Sequence, residues 1–221
     1  VFVTGGAGYV GSACLRMLLN EGHDAVAFDN LCKGHREAVP RDRLIEGDLP
    51  DTTALIRAMR DHGSQAVMHF AAATDVGESV SKPDYHYRNN VGGTLSLLQA
   101  MREAGVQRML FSSTCATYGD NPTPPMNEEA EQVPCSPYAR TKLAVEWLIR
   151  DFAHAYGLGF TLLRYFNAAG GDADGEHGED HDPELHLIPL VLQVALGRRQ
   201  KIFISVDDYP TPDGTFIRDY V

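Results

Sequence analysis

The chain has 221 residues, 43% hydrophobic and 22% charged, the make-up of an ordinary soluble globular protein long enough to bury a core. Its formal net charge of −11 argues against nucleic acid or an anionic membrane surface as a partner, but not against a phosphorylated ligand held by backbone amides and a few local cations. Four cysteines (Cys14, Cys32, Cys115, Cys135) form no CxxC pair, no apolar run approaches ~18 residues and no signal peptide is visible, so a cytoplasmic protein with reduced thiols is expected.

The run Val1 to Val3 reads as a buried parallel strand that breaks at once into glycines. Gly5, Gly8 and Gly11 sit three apart and lead into Ser12 to Leu19, where apolar residues recur at helical spacing. One glycine makes the tight turn, one lets a phosphate approach the backbone, and one lets helix and strand pack closely. The helix start then offers N–H groups and the positive end of its dipole to an anion, which is a dinucleotide site. Asp24 to Phe28 is a second strand, ending in Asp29 and Asn30, 18 residues beyond Gly11. An acidic residue there accepts the ribose hydroxyls and repels a 2′-phosphate, so NAD is expected over NADP, with Lys33 and Arg36 softening the preference.

Arg43 to Gly47 is a third strand leading to Asp48 and Leu49, which either border the adenine or merely approach a helix over about 52–62. Gln65 to Phe70 is a fourth strand, and the small Ala71, Ala72 and Ala73 leave room for a cofactor at the sheet's upper edge. A long helix is predicted over about 83–104, carrying Asn89 and Asn90. Val106 to Ser112 is strand five, tipped by Ser112, Ser113 and Thr114. A polar, proline-rich loop (Asn121 to Pro137) precedes a helix from Tyr138 to about Tyr156, and Phe160 to Tyr165 is strand six. Strands alternating with helices predict an α/β fold, a doubly wound parallel Rossmann sheet, over residues 1–166. From Phe166 the pattern changes, and the resemblance given below implies that residues 167–221 are the start of a smaller C-terminal substrate-binding region. In it, Asp172 to His186 reads as a solvated acidic loop with no metal, despite the spacing of His177 and His181. A short helix from Leu190 to Leu196 follows, then two short strands (Lys201 to Ile204, Thr215 to Val221) around a turn from Asp207 to Gly214. The chain lacks an initiator Met and begins inside a strand, so it is expected to be clipped at both ends.

Tyr138 and Lys142 are four apart and share a helix face. Using a tyrosine as a base near neutrality means lowering its pKa of ~10 by ~3 pH units, or about 4 kcal/mol. A cation ~4–6 Å away supplies about 3–4 kcal/mol at an effective dielectric near 20. Lys142 is therefore expected to lower the pKa of Tyr138, with the positive nicotinamide ring adding the rest, and Thr114 offers a hydroxyl to the same reacting oxygen.

With these residues in place, the chain resembles the extended short-chain dehydrogenase/reductases. The matching stretches are Thr4 to Ser12, Asp29 to Leu31, Val76 to Val80, Phe111 to Thr114, Ser136 to Tyr138, Leu163 to Asn167, and Asp208 to Thr211 through Arg218 to Tyr220. The last two point to the branch that epimerises UDP-sugars. The resemblance implies interconversion of UDP-glucose and UDP-galactose by transient oxidation at sugar C4, with NAD as cofactor. It makes Tyr138 the acid/base, Lys142 its partner and holder of the nicotinamide ribose, and Thr114 the stand-in for the usual Ser. It implies cofactor contacts from Gly5, Gly8, Tyr9, Val10, Gly11, Asp29, Asn30, Asp48, Leu49, Phe70, Ala71, Ala72, Asn89, Ser112 and Tyr165. It places Asn167, His186, Leu187 and Arg218 against the UDP-sugar, together with Thr114 and Tyr138. It also implies a homodimer built on the helices over 83–104 and 138–156. Thr74 departs from the family, where a lysine is often found near the cofactor phosphates. An N-acetylhexosamine or pentose substrate stays open. A 4,6-dehydratase is disfavoured because Cys115-Ala116, not an acidic pair, follow Thr114, and a non-catalytic NAD-binding regulator predicts loss of Tyr138 or Lys142.

Overall fold

Strands β1 (Phe2–Thr4), β2 (Val26–Asp29), β3 (Leu44–Glu46), β4 (Val67–His69), β5 (Arg108–Ser112) and β6 (Gly159–Leu163) form one sheet in the order β3-β2-β1-β4-β5-β6. Every neighbouring pair is parallel. The computed structural model describes residues 1–120, 126–203, 208–209, 211–215 and 217–221. It divides into two compact units, Val1–Tyr165 and Phe166–Val221.

In the first unit, successive strand residues point to opposite faces, and each face has its own helices. Phe2, Val26, Phe28 and Val67 pack in one core with Leu55 and Met59 of α2 (Thr52–Asp61), Leu97, Leu98 and Met101 of α5 (Gly93–Ala104), and Val145 and Ile149 of α6 (Pro137–Tyr156). Val3 and Ala27 pack on the other face with Leu15 of α1 (Tyr9–Asn20), joined by Leu18 and Met68. Each large side chain so buried stabilises the fold by about 1.5–3 kcal/mol. The sheet is thus doubly wound. After β3 the chain returns to the far side of β1, and the crevice between β1 and β4 at the carboxyl edge is the place where such sheets bind ligands.

Two elements differ from expectation. The helix over 83–104 is not uniform: α4 (Pro83–His86) widens into a π-helical stretch, Tyr87–Gly92, before α5. The bulge carries the buried Asn90, which accepts from the Ala73 N–H (2.8 Å) and donates to the Ala73 carbonyl (3.0 Å) and to Thr141 Oγ1 (3.0 Å). Such π-bulges are frequent at functional sites. Ahead of it lies a further short helix, α3 (Val76–Ser81), capped by Asp75, which accepts from Glu78 N–H at 2.9 Å.

In the second unit, α7 (Leu187–Ala195) starts three residues before the expected Leu190, with Pro189 in its first turn where a missing N–H costs nothing. The two closing strands are not formed among the described residues: Asn167 and Tyr220 make one isolated parallel bridge, and Ile204, Asp207 and Phe216 lie outside the described residues. The acidic loop is not fully solvated either, since Glu179 and Glu184 turn inward on two histidines and keep only 8% of their side-chain surface. Among the described residues, no helix is long and apolar enough to cross a membrane.

Candidate active site

The glycine turn connects β1 to α1. Gly5 adopts φ +69°, and a Cβ there would lie 2.5 Å from the Ala71 nitrogen, so the end of β4 closes directly over it. A Cβ on Gly11 would lie 2.1 Å from the Gly5 carbonyl oxygen, so this glycine is what lets helix and turn pack. A Cβ on Gly8 would meet that same oxygen at 3.4 Å, an ordinary contact, so there is room beside this glycine. Gly8 is also the N-cap of α1, where no side chain caps the helix, and Tyr9 and Val10 form its first turn. No side chain therefore occupies the positive end of the helix, as an anion site requires.

Asp29 ends β2 with only 8% of its surface exposed. Its Oδ2 accepts from the Ala7 N–H at 3.0 Å and its Oδ1 from the Leu31 N–H at 2.8 Å, which holds the carboxylate beside the glycine turn. Leu31 takes a left-handed φ of 58° in the process. Asn30 donates to Asp48 Oδ1 at 3.0 Å, and the Leu49 N–H donates to the same oxygen, also at 3.0 Å. The Phe70 and Ala71 N–H groups donate to the Thr4 carbonyl at 2.9 and 3.1 Å, fixing Phe70, Ala71 and Ala72 at the crevice. Asn89 donates to Asn90 Oδ1 at 3.0 Å, within the network that holds Ala73.

The acid/base group is assembled from β5 and the start of α6. Ser136 caps α6 by accepting from the Ala139 N–H at 3.2 Å, and Pro137 occupies its first position, so Tyr138 emerges from the first turn. Thr114, whose Oγ1 accepts from the Ala116 N–H at 3.1 Å, stands beside its hydroxyl and favours the phenolate. One turn on, Lys142 is 2% exposed; its Nζ donates to the Ser112 carbonyl at 2.8 Å and lies 5.9 Å from the centre of the Tyr138 ring. The Ser112 hydroxyl in turn pairs closely with the Tyr165 hydroxyl.

The electrostatics differ from expectation. Burial pushes the Tyr138 phenol up to about 12, outweighing the Thr114 hydroxyl, and burial brings Lys142 down from 10.5 to about 7. A lysine half neutral near pH 7 exerts only part of its pull on the phenol. Behind it, His69 is held between Thr4 Oγ1 (2.6 Å) and Thr94 Oγ1 (2.9 Å), and burial followed by the charge of Lys142 lowers it to about 3. It is a neutral core group.

Glu146 and Arg164 were not anticipated. Glu146, one turn beyond Lys142, is fully buried and accepts from Ser113 Oγ (2.5 Å), Arg164 Nε (2.9 Å) and Arg164 Nη2 (2.6 Å). Burial opposes its charge, but the Arg164 and Ser113 hydrogen bonds prevail and its pKa is lowered. Arg164 also donates to the Tyr118 hydroxyl at 2.9 Å. This cluster ties α6, and with it Tyr138 and Lys142, to the ends of β5 and β6. Its one trace in the sequence is an acidic residue on the apolar face of α6.

The remaining sequence-predicted residues lie in the second unit. Asn167 donates through Nδ2 to the Asp219 carbonyl at 2.7 Å, and its carbonyl accepts from the Val221 N–H at 2.9 Å. His186 is the N-cap residue of α7 and Leu187 its first residue, while Arg218 donates to the Ile217 carbonyl at 2.8 Å.

Known proteins resemble the chain closely. The UDP-glucose 4-epimerase of Corynebacterium glutamicum is 50% identical over 222 residues, aligning with the whole chain and 66% of its own length. The chain thus spans about two thirds of that relative. A solved UDP-glucose 4-epimerase from Brucella ovis, in complex with NAD, superposes with a TM-score of 0.96 at 50% identity, covering all of this chain and 68% of its own. The Bifidobacterium longum enzyme, in complex with NAD+ and UDP, gives 0.93 at 35% identity, covering all of this chain and 69% of its own. The family model that matches spans residues 1–221, and the chain belongs to the NAD dependent epimerase/dehydratase family.

Proposed function

We propose that the chain carries the cofactor site and acid/base group of a UDP-glucose 4-epimerase, interconverting UDP-glucose and UDP-galactose with NAD. The observation that carries this reading is the convergence of Tyr138, Thr114 and Lys142 at the carboxyl end of β5, in a sheet whose β1/β4 crevice has a glycine turn and an uncapped helix start. The residues fit NAD: space beside Gly8 and the dipole of α1 suit the diphosphate, and the fixed carboxylate of Asp29 suits an unphosphorylated ribose. Lys142 and Tyr138 would hold the nicotinamide end. Residues 1–166 form the NAD-binding domain in this reading, and 167–221 supply Asn167, His186, Leu187 and Arg218 to the UDP-sugar.

Bound NAD supplies the two-electron acceptor and donor for transient oxidation at sugar C4. The chain moves the proton: Tyr138 Oη, beside Thr114, takes it from the 4-hydroxyl and returns it. Lys142 and the phenolate stabilise each other, by about 3 kcal/mol at ~5–6 Å and an effective dielectric near 20. The lysine therefore regains its proton as the tyrosine loses one. Incubating the protein with UDP-galactose and separating the products tests the reading. UDP-glucose formed without net consumption of NAD is expected; a product lacking the 6-hydroxyl would instead indicate a dehydratase.

We read the Asp29 geometry as selecting NAD. Asp29→Ala should narrow the ratio of NAD to NADP affinity by tenfold or more, about 1.4 kcal/mol, in fluorescence titrations. Equal affinities in the unaltered protein would remove the assignment. A cytoplasmic homodimer accords with four cysteines that form no disulfide among the described residues and with exposed Tyr85, Leu95 and Trp147 on the helices over 83–104 and 138–156.

A further inference from the structure

The loop before α7 gathers two carboxylates and two imidazoles from a span of eight residues. Ligand atoms of Glu179, His181, Glu184 and His186 all lie within 4.8 Å of one another. His181 Nδ1 is 3.2 Å from Glu179 Oε1 and 3.9 Å from Glu184 Oε2; His186 Nδ1 is 2.6 Å from Glu179 Oε1 and 3.1 Å from Glu184 Oε1. Four ligands at ~2.0–2.1 Å around a tetrahedral ion stand about 3.3 Å apart, and these separations bracket that value. The chemistry of the donors also agrees, since imidazole and carboxylate together suit zinc and its first-row neighbours.

A second observation points the same way. The Glu179 side chain is more than nine-tenths buried, and its Oε1 makes no hydrogen bond although it faces both imidazoles. A buried carboxylate oxygen without a hydrogen bond is costly unless a cation meets it. Glu184 is oriented from behind, because its Oε1 accepts from the Leu185 and His186 N–H groups at 2.8 Å each. Two nearly buried carboxylates so close together repel, and a divalent ion cancels their charge.

We propose that Glu179, His181, Glu184 and His186 form a binding site for a divalent transition ion of the zinc class, which fastens this loop at the start of α7. The site would use Nδ1 of His186 and leave its Nε2 for other partners. The inference stands independently of the UDP-sugar reading.

The test is titration of the 221-residue chain with Zn²⁺ against a chromogenic chelator. One saturable equivalent is expected, weakened about 10²-fold or more by Glu179→Gln and separately by His181→Asn, and unchanged by His177→Asn, which lies outside the cluster. Thermal transitions of the metal-free variants check that each still folds, and either variant alone suffices. With Co²⁺, the same site should give the intense visible bands of four-coordinate cobalt, lost in both variants. Absence of saturable binding, or equal affinity in the variants and their parent, would mean an adventitious ion only and would overturn the proposal.

Discussion

A Tyr138→Phe variant should lose C4 epimerisation by about 10²–10⁴-fold, the usual worth of a positioned general base, while binding NAD as before. The substitution removes one oxygen and keeps the ring, so the packing of α6 on β5 is undisturbed. The loss should appear in kcat rather than KM, because the proton leaves the sugar hydroxyl only as the reaction proceeds. A variant retaining more than a few per cent of the parent rate would show that another group accepts the proton. Thr114 is the immediate candidate, since its hydroxyl acts on the Tyr138 phenol directly.

Lys142→Met should trade activity for stability, with a sign that changes with pH. Lys142 has a folded pKa of about 7 against 10.5 when exposed, so the unfolded chain holds the extra proton between those values. The parent protein is therefore least favoured below pH ~7 and gains stability as pH rises through the window to ~10.5, by about 5 kcal/mol at about 1.4 kcal/mol per pH unit. Methionine has no such slope. It forfeits the hydrogen bond to the Ser112 carbonyl, which costs about 1–3 kcal/mol for a buried acceptor left unpaired. The variant should thus be the more stable protein at pH 6 and the less stable one at pH 10, while epimerisation is lost at both. Denaturant unfolding at the two pH values, without added NAD, measures the crossing. Parallel curves for parent and variant would mean that Lys142 stays fully charged in the fold.

These two experiments separate what sequence can show from what it cannot. The strands were legible because a parallel sheet buried on both sides demands continuous apolar runs, and Val1 to Val3 and Met109 to Phe111 supply them. The glycine turn was legible because its spacing is imposed by local backbone contacts: a Cβ on Gly11 collides with Gly5, only six residues away. The Tyr138–Lys142 pair follows from helix geometry alone. The electrostatics do not, because the direction of both pKa shifts depends on burial, set by β5, β6 and α6 together. Asn90, placed on its helix from the sequence, had no role assigned for a related reason, since an asparagine at a helical position looks solvated until Ala73 and Thr141 are brought to it. The acidic loop misled through its composition, which conceals that Glu179 and Glu184 point inward.

The Ser113–Glu146–Arg164 cluster has an evolutionary consequence. Each member satisfies a charge or hydroxyl that the others leave buried, so removing Arg164 alone would strand an ion inside the protein, at about 3–5 kcal/mol. A typical domain has only about 5–15 kcal/mol in total, so such an intermediate sits close to collapse. Replacing the whole cluster by apolar residues of similar volume can be neutral, but no sequence of single steps reaches that state without crossing the valley. Lineages of this fold should therefore keep all three positions or exchange them in concert, even though none of the three touches the reacting hydroxyl.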